Sequence, residues 1–536
     1  MRRGGHLGRW VFLLLWSGLA LAALPPPYAR LERALAAGDR TALRSLTAET
    51  SYAAVLAARA LAEDPRLKAA ERARWARFVL REEGDSARLW AARALEAAGF
   101  RDEAARLYRA ELLKPGAVAG LLRLAEGGSQ EAVAGLLAAR RYRAALRYAK
   151  DPLLKGRALL GLGRAEEALI YLEADPRLFG KALLQLGRRE EALRAFRAAG
   201  DRLAEGRLLA ELGREEEAVR ALLLAGSRGR FEAAGLLERR DPKRAIALYL
   251  EVASGKSPLA DDAALRAYVL AQRRGDRASM QKAYARLSGG LGLLVGKPLP
   301  ALSVEPLPRQ APAGFEVVRA LAAAGHGDWA RGEARYRARR AAGEARRAWA
   351  WVLFALKDVR GAARFGGLRL KYAAPWRESV FAEARARGLD PWLLYAVMRV
   401  ESAFDPGAVS PTGARGLFQF TAATWREVAS RLGAKAADPF DPEAAIRFGA
   451  YYLAWLKRRF GGDRRLAVLA YNGGPGYMRR GMERYGDFLD FLRFQPRDEP
   501  REYLAKVWRD YAIYRALARV SRRPPAFLEG FPPAPR

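Results

Sequence analysis

The chain has 536 residues, and its 94 lysines and arginines outnumber its 59 aspartates and glutamates, which gives a formal net charge of +35. This length predicts two or more domains with sizeable hydrophobic cores. The sequence contains no cysteine and only two histidines, which excludes disulfides and argues against a histidine-based metal site or catalytic triad. No metal and no cofactor are therefore expected.

The positive charge first suggests a nucleic-acid-binding protein, but the sequence contains no RNP, zinc-finger or helix-turn-helix signal. The arginines are spread along the chain and alternate with alanine, leucine and glutamate on helical faces. This distribution favours a general attraction to an anionic polymer or an anionic lipid surface. Nucleic acid is not expected as a partner.

The N-terminus has the pattern of a signal peptide. Basic residues precede an apolar run from Trp10 to Ala23, and Ala20-Leu21-Ala22 offers a small-residue cleavage site. The run is shorter than the roughly 20 residues of a typical transmembrane helix. Residues 1–22 are therefore predicted to be a signal peptide that directs export to the periplasm or cell envelope, with an uncleaved membrane anchor as the alternative.

Residues 23–288 have the spacing of packed helices, with apolar residues three and four positions apart. A heptapeptide, Leu162-Gly-Arg-Ala-Glu-Glu-Ala168, recurs in similar form at Leu186–Ala192 and at Leu212–Ala218. Each copy has the pattern of a turn between two helices and resembles the turn of tetratricopeptide repeats, whose usual period of about 34 residues is longer. Residues 23–288 are therefore predicted to form a compact α-solenoid in which each hairpin packs on its neighbours.

Three further segments differ in composition from the solenoid. Residues 289–313 are rich in glycine and proline and are predicted to be a linker. Residues 314–375 are predicted to form linker helices. The proline-rich residues 523–536 are predicted to be an extended tail.

The segment from Asp390 to Glu401 is predicted to be a helix that ends in a carboxylate. Asp390 is a good N-cap, and Pro391 suits the first helical position. Glu401 falls in line with the apolar stripe of this helix, which predicts partial desolvation of its carboxylate. Desolvation raises the pKa of a carboxyl group and suits it to act as a general acid near neutral pH. The alternative is a solvated glutamate at a helix end.

Three downstream blocks place polar side chains beside glycine-rich turns. The loop Gly413–Gln419 leads to an amide that both donates and accepts hydrogen bonds. Ala470–Gly476 places a tyrosine and an asparagine before a tight turn, and Glu499–Tyr503 begins the last long helix. Together with Glu401 and in this order, the blocks resemble the lytic transglycosylases of the soluble (SLT) type, over about residues 376–522.

The resemblance implies that residues 376–522 form an α-rich, lysozyme-like catalytic domain, so the whole chain is expected to be mainly α. It also implies that Glu401 is the catalytic acid/base and that the Tyr471 hydroxyl lies near its carboxylate. The residues that match substrate-binding or supporting positions are Ser410, Gln419, Phe420, Thr421, Tyr471, Asn472 and Glu499. Phe420 and Thr421 depart from the family, which commonly has an aliphatic residue and a methionine at these two positions.

The function that the resemblance implies is that of an exported peptidoglycan lytic transglycosylase. Such an enzyme cleaves the β-1,4 bond between N-acetylmuramic acid and N-acetylglucosamine with one glutamate as acid/base and leaves 1,6-anhydromuramoyl ends. Two alternatives stay open: a hydrolytic muramidase of the lysozyme type, and a non-catalytic glycan-binding scaffold. The expected partners are peptidoglycan glycan strands, wall-synthesis proteins on the solenoid, and the membrane or wall polymers on the basic surface.

Overall fold

The computed structural model describes residues 24–112, 114, 116–410, 412–434, 437–494, 498–520 and 523–532. The predicted signal peptide, residues 1–22, lies outside the described residues. Apart from two isolated β-bridges, the regular structure of the described ranges is helical, which confirms the mainly α fold. None of the helices in these ranges combines the length and the apolar character that a membrane span requires.

The N-terminal part is a run of helices in which each helix contacts the next, as expected for a solenoid. These helices are α1 (Pro26–Ala37), α2 (Arg40–Leu46), α3 (Tyr52–Glu63), α4 (Ala69–Glu83), α5 (Arg88–Ala97), α6 (Arg101–Ala110), α7 (Ala117–Glu126), α8 (Gln130–Ala138), α9 (Tyr142–Tyr148), α10 (Pro152–Gly161), α11 (Ala165–Leu172), α12 (Pro176–Gln185), α13 (Arg189–Ala198), α14 (Arg202–Glu211), α15 (Glu215–Leu223), α16 (Gly226–Leu237), α17 (Pro242–Ser254), α18 (Ala260–Arg273) and α19 (Arg277–Arg286).

The C-terminal part is also helical, with shorter connecting helices followed by the helices of the predicted catalytic domain. They are α20 (Gly289–Leu294), α21 (Phe315–Ala323), α22 (Gly327–Arg340), α23 (Gly343–Ala355), α24 (Val359–Phe365), α25 (Leu368–Lys371), α26 (Arg377–Ala386), α27 (Pro391–Ser402), α28 (Ala422–Arg431), α29 (Pro442–Arg459), α30 (Arg464–Gly473), α31 (Pro475–Tyr485), α32 (Phe488–Phe494) and α33 (Asp498–Ala516). Short 3₁₀ turns occur at Gly84–Ala87, Leu517–Arg519 and Ala526–Leu528.

The repeated heptapeptides form turns between helices, as predicted. The backbone φ is 77° at Gly163 and 75° at both Gly187 and Gly213, in the left-handed region that costs other residues about 1 kcal/mol or more. The arginine after each glycine pairs with the glutamate three positions later: Arg164 with Glu167, Arg188 with Glu191, and Arg214 with Glu217. The repeat therefore encodes both the reversal of the chain and the start of the next helix.

The two ends of the solenoid both contact the C-terminal part, so the contacts close the chain into a ring. Buried apolar residues between 24 and 158 share one core with residues 315–370. Buried residues between 234 and 294 share a second core with residues 359–517. The second core contains residues of the predicted catalytic domain, so this domain packs directly on the solenoid.

A buried carboxylate connects the N-terminal helices to α22. Glu333 is 0% exposed. It accepts hydrogen bonds from the Tyr28 hydroxyl at 2.7 Å, the Tyr52 backbone N–H at 2.6 Å and the Arg337 guanidinium at 2.6 Å. A fully buried carboxylate is tolerated only when such partners replace its lost hydration.

The glycine- and proline-rich segment 289–313 differs in part from the predicted linker. Its first six residues form α20, which packs against α33. A Cβ atom on Gly290 would lie 1.8 Å from the Ala505 carbonyl oxygen, so only glycine allows the two backbones to approach this closely. Close helix packing therefore explains the glycine at position 290. The remainder of the segment contains no helix.

The described part of the tail also differs from the extended structure that was predicted for residues 523–536. The rings of Phe527 and Phe531 lie 5.6 and 5.5 Å from the ring of Phe315 on α21. Leu528 between them is 8% exposed. Proline-rich composition favoured an extended chain, but apolar contacts fold residues 526–531 back onto the protein.

Replacement of Glu333 with Gln is expected to lower the free energy of unfolding by about 3 kcal/mol, because Arg337 and the other donors lose a charged acceptor. Urea denaturation of the full-length protein measures this change. The control is Glu316→Gln, whose side chain is 72% exposed and pairs with Arg319 at the surface. The control is expected to change stability by less than about 0.5 kcal/mol, and equal unfolding midpoints for the two variants would contradict the role of Glu333.

Candidate active site

Glu401 lies in the last turn of α27, as the sequence predicted. The Asp390 side chain caps this helix by accepting a hydrogen bond from the Trp392 backbone N–H at 3.0 Å, and Pro391 occupies the first helical position. Val397 and Met398 on the same helix are fully buried. The apolar face of α27 therefore brings Glu401 to the edge of the core, where the residue is half-buried.

The chain turns sharply after α27 and meets the loop that precedes α28. Ala403 and Phe404 have positive φ angles of 51° and 64°, a strained conformation for two consecutive residues with side chains. Ser402 is buried, and its hydroxyl lies 2.9 Å from the Leu417 carbonyl oxygen and 3.2 Å from that of Met398. This hydroxyl ties the loop to the end of the helix that carries Glu401.

The Glu401 carboxyl is surrounded by groups with opposing effects on its pKa. Burial raises the pKa from its usual range to about 7, and the negative charge of Glu499 contributes to the increase. The Tyr503 hydroxyl donates a hydrogen bond to Glu401 Oε1 at 2.6 Å and lowers the pKa. The site thus holds a carboxyl group that can exchange a proton near neutral pH.

Two tyrosines lie beside Glu401, and Tyr503 is the one that donates a hydrogen bond to its carboxyl. Tyr471, which the resemblance places near the carboxylate, has a pKa raised by burial and by the charge of Glu401. The Tyr471 hydroxyl donates its hydrogen bond to the Phe418 carbonyl oxygen at 2.7 Å, so it anchors the loop. Its ring lies parallel to that of Tyr503, with centroids 6.4 Å apart and an interplanar angle of 2°. Glu499 and Tyr503 are four positions apart on α33, and this helical spacing is the signal that could have placed both near Glu401.

Ser410 and Gln419 shape the loop between α27 and α28. The Ser410 hydroxyl accepts a hydrogen bond from the Ala414 backbone N–H at 3.0 Å. The Gln419 side-chain N–H₂ donates to the carbonyl oxygens of Ala408 and Gly416 at 3.1 and 2.9 Å. Gln419 itself has a positive φ of 48°. In the structure both side chains make hydrogen bonds within the loop, and their contact with substrate stays a prediction.

Phe420 and Thr421 have structural surroundings that differ from an open cleft. Phe420 is 4% exposed and packs beneath the site in an aromatic cluster. The rings of this cluster, in addition to Phe420, are Phe418, Trp425, Tyr452 and Tyr471. Thr421 is the exposed N-cap of α28, and its hydroxyl accepts a hydrogen bond from the Thr424 backbone N–H at 3.2 Å. Core packing thus buries most of the Phe420 ring, and its contact with substrate stays a prediction.

Asn472 and Glu499 lie next to each other on α30 and α33. The Asn472 side-chain N–H₂ is 3.4 Å from Glu499 Oε1, a long hydrogen bond. The two residues join the end of the Tyr471-containing helix to the start of the Tyr503-containing helix. The geometry brings four predicted residues, Glu401, Tyr471, Asn472 and Glu499, into one neighbourhood and adds Tyr503. Among the described residues, no cluster of acidic side chains and histidines has the composition of a metal site.

Comparison with known proteins links this geometry to one family of domains. Residues 378–492 match the family model of the transglycosylase SLT domain. The match includes Glu401, the loop before α28 and the Tyr471–Asn472 pair, whereas Glu499 and Tyr503 lie beyond its end.

Curated relatives match the same part of the chain. The soluble lytic murein transglycosylase of Escherichia coli (strain K12) is 32% identical over 127 residues, which cover 22% of this chain and 20% of the relative. A membrane-bound lytic murein transglycosylase F of Yersinia enterocolitica is 43% identical over 102 residues, which cover 18% of this chain and 20% of the relative. These alignments span about a fifth of the length of the relatives, 20% in both cases.

A solved structure is also similar to this chain over most of its length. The crystal structure of the 70 kDa soluble lytic transglycosylase SLT70 from Escherichia coli is similar over 95% of this chain and 97% of that chain, with a TM-score of 0.52 and 18% sequence identity. This similarity concerns the fold, whereas the family match rests on the sequence of the C-terminal domain. By that match, residues 378–492 of this chain belong to the transglycosylase SLT domain family.

Proposed function

We propose that the protein is a peptidoglycan lytic transglycosylase that cuts the β-1,4 bond between N-acetylmuramic acid and N-acetylglucosamine. The observation that carries the proposal is the half-buried Glu401 carboxyl, whose pKa desolvation raises to about 7 and which accepts a hydrogen bond from Tyr503. A carboxyl group with this pKa both holds and releases a proton near neutral pH. The lytic murein transglycosylases that match the C-terminal domain support the substrate class.

In the first step, protonated Glu401 transfers its proton to the oxygen between the two sugars. The bond from the muramoyl C1 to this oxygen breaks, and the N-acetylglucosamine part leaves with a free 4-hydroxyl group. The carbonyl oxygen of the substrate's own N-acetyl group forms a bond to C1 and takes the place of an enzyme nucleophile, as in some other glycosidases.

In the second step, ionised Glu401 takes the proton of the muramoyl 6-hydroxyl group. The oxygen of this group attacks C1 and displaces the N-acetyl oxygen, which closes the 1,6-anhydro ring and returns Glu401 to its protonated form. No water is consumed. Attack within one sugar residue benefits from the high effective concentration of a group already held nearby.

Glu499 fits the role of a supporting charge better than that of a nucleophile. It is exposed at the start of α33, and it raises the pKa of Glu401 through its charge. The long contact to Asn472 orients its carboxylate. We propose that Ser410 and Gln419 keep the loop beside the glycan in shape, that Thr421 caps the helix next to this loop, and that Asn472 borders the sugar.

The proposed location and partners follow from other parts of the chain. Residues 1–22 have the pattern of a signal peptide, which directs the enzyme to the periplasm or cell envelope, where its substrate lies. A net charge of +35 favours association with the anionic groups of peptidoglycan or of the membrane surface. The solenoid offers a large surface for wall-synthesis proteins.

Replacement of Glu401 with Gln is expected to lower turnover by about two to four orders of magnitude, because the nearly isosteric amide cannot transfer the proton. The measurement is release of soluble muropeptides from purified sacculi, followed by mass analysis. Anhydro-ended products from the wild-type protein would support the proposed reaction. Reducing ends, heavier by one water, would indicate a hydrolytic muramidase, and no release would favour a glycan-binding scaffold. Retention of more than about a tenth of the activity would contradict the role of Glu401.

Replacement of Tyr503 with Phe is expected to lower turnover by about one to two orders of magnitude with little change in thermal stability, since it removes one hydrogen bond to the reacting carboxyl. The matched control is Tyr471→Phe, which removes a hydrogen bond to a loop carbonyl and is expected to lower stability by about 1 kcal/mol. Turnover and melting temperature are measured for both variants. A larger loss of turnover in Tyr471→Phe would show that Tyr471 supports the acid.

The activity is expected to fall as the pH rises through about 7, because ionised Glu401 cannot protonate the leaving oxygen. Glu499→Gln removes a negative charge that raises the Glu401 pKa, so the fall should begin at lower pH. Tyr503→Phe removes a hydrogen bond that stabilises the carboxylate, so the fall should begin at higher pH. Profiles of kcat/KM against pH test these opposite shifts.

The control for the pH profiles is Glu502→Gln, which removes a charge of the same sign from the same helix. The Glu502 side chain is 59% exposed and pairs with Lys506, so its profile should match that of the wild-type protein. Unchanged profiles in both the Glu499 and the Tyr503 variants would contradict the proposed electrostatics. Loss of all cleavage in a stable Glu499→Gln variant would indicate a mechanism with two carboxylates.

A further inference from the structure

The solenoid contacts the helix that supplies two of the groups around Glu401. The beginning of α33 carries both Glu499 and Tyr503. Arg501 lies between them and is 3% exposed. Its guanidinium forms an ion pair at 2.8 Å with Asp262 of the solenoid helix α18. An ionic contact therefore links the solenoid to the part of α33 that carries Glu499 and Tyr503.

A second contact holds the same part of α33 from the side of α20. Gly290 approaches Ala505 so closely that any side chain would collide with the α33 backbone. The Ser288 residue just before α20 is itself fixed to α18, because its backbone N–H and its hydroxyl donate to Asp261 at 2.8 and 2.9 Å. The neighbouring residues Asp261 and Asp262 thus hold α20 and α33, respectively, in place.

Two further ion pairs connect the solenoid to α32, the helix that precedes α33. The Arg493 guanidinium is 2.5 Å from Glu238, and the exposed fractions of the two side chains are 2% and 7%. Arg273 pairs with Asp490, whose side chain is 4% exposed. A buried ion pair such as that of Arg493 and Glu238, or a buried carboxylate such as Asp490, adds little net stability but penalises any arrangement that separates it from its partner. These ion pairs therefore specify the orientation of the catalytic domain relative to the solenoid.

We propose that the solenoid positions the catalytic acid: the ion pair between Asp262 and Arg501 fixes the first turns of α33 and thereby holds the Tyr503 hydroxyl on Glu401. In this proposal Asp262 is a positioning residue that acts through Arg501 and Tyr503. The inference rests on the proposed role of Glu401 and extends it, because it assigns the solenoid a part in the chemical step in addition to any part in holding the glycan strand.

The helical geometry explains how the contact is transmitted. Residues two positions apart do not share a helix face, so Arg501 can contact the solenoid while Tyr503 reaches Glu401 from the same turn. The hydrogen bond to Glu401 is 2.6 Å long, and such bonds weaken steeply as donor and acceptor separate. A misplacement of about 1 Å can cost about a hundredfold in rate. Loss of the Arg501 ion pair is therefore expected to displace the Tyr503 hydroxyl from the Glu401 carboxyl and to lower the rate.

The test measures kcat and KM of full-length variants on a soluble muropeptide that is too short to extend from the cleft along the solenoid. Asp262→Asn is expected to lower kcat about tenfold with little change in KM, because the substrate-binding loop is untouched. The variant is then combined with Tyr503→Phe. If Asp262 acts through the tyrosine hydroxyl, the double variant should be no slower than Tyr503→Phe alone.

The matched control is Asp201→Asn, elsewhere in the solenoid. The Asp201 side chain is 16% exposed, like that of Asp262, and pairs at the same distance of 2.8 Å with Arg177, which is an exposed arginine of the solenoid itself. Asparagine also preserves the N-cap that Asp201 provides for α14. This variant should keep the wild-type kcat. A control that loses as much kcat as Asp262→Asn would overturn the proposal.

Two other results would overturn the proposal: full activity in Asp262→Asn, or losses that multiply when it is combined with Tyr503→Phe. If Asp262→Asn does not fold, Arg501→Lys takes its place, because lysine keeps the positive charge opposite Asp262 but has a shorter side chain. This variant is expected to show a smaller loss of kcat, and no further loss when it is combined with Tyr503→Phe. Glu401→Gln measured in parallel separates the two proposals. Activity retained in that variant refutes the proposed function, whereas inactivity there with an unaffected Asp262 variant refutes only the positioning by the solenoid.

Discussion

The hydrogen bond from the Tyr503 hydroxyl to the Glu401 carboxyl joins two helices across 102 residues of sequence, and the rest of the site is arranged around it. Burial at the end of an apolar helix face makes the ionised carboxyl unfavourable, and the tyrosine hydroxyl partly offsets this cost. The balance leaves the pKa near 7. A group that performs both halves of an acid/base cycle needs this intermediate value, because either protonation state must be reachable.

Most polar side chains near Glu401 hold backbone in place. Ser402 bonds to the Leu417 carbonyl, Tyr471 to the Phe418 carbonyl, and Gln419 to two carbonyl oxygens of its own loop. These bonds stabilise positive φ angles at Ala403, Phe404 and Gln419 that would otherwise be costly. The loop is thereby held in place at the point where the proposed function requires a glycan to be oriented against the carboxyl group.

The ring of contacts joins the solenoid to the C-terminal part of the chain at two junctions. A carboxylate marks each junction: the buried Glu333 where the N-terminal helices meet α22, and the half-buried Asp262 where the solenoid meets α33. Apolar cores extend across both junctions, so hydrophobic burial supplies attraction while the ionic groups select one arrangement. The catalytic domain therefore belongs structurally to the whole chain, even though its sequence relatives match only that domain.

The sequence by itself determined the features that depend on neighbours along the chain. The cap at Asp390, the alignment of Glu401 with an apolar face, and the glycine turns at Gly163 and its repeats follow from helix capping, helical periodicity and backbone freedom. Tertiary structure alone decided which tyrosine reaches Glu401, that Phe420 is buried, and that the tail folds back onto Phe315. Each of these outcomes depends on packing between segments far apart in sequence. Helical spacing puts Glu499 and Tyr503 on one face of α33, but only tertiary packing decides which residue that face meets.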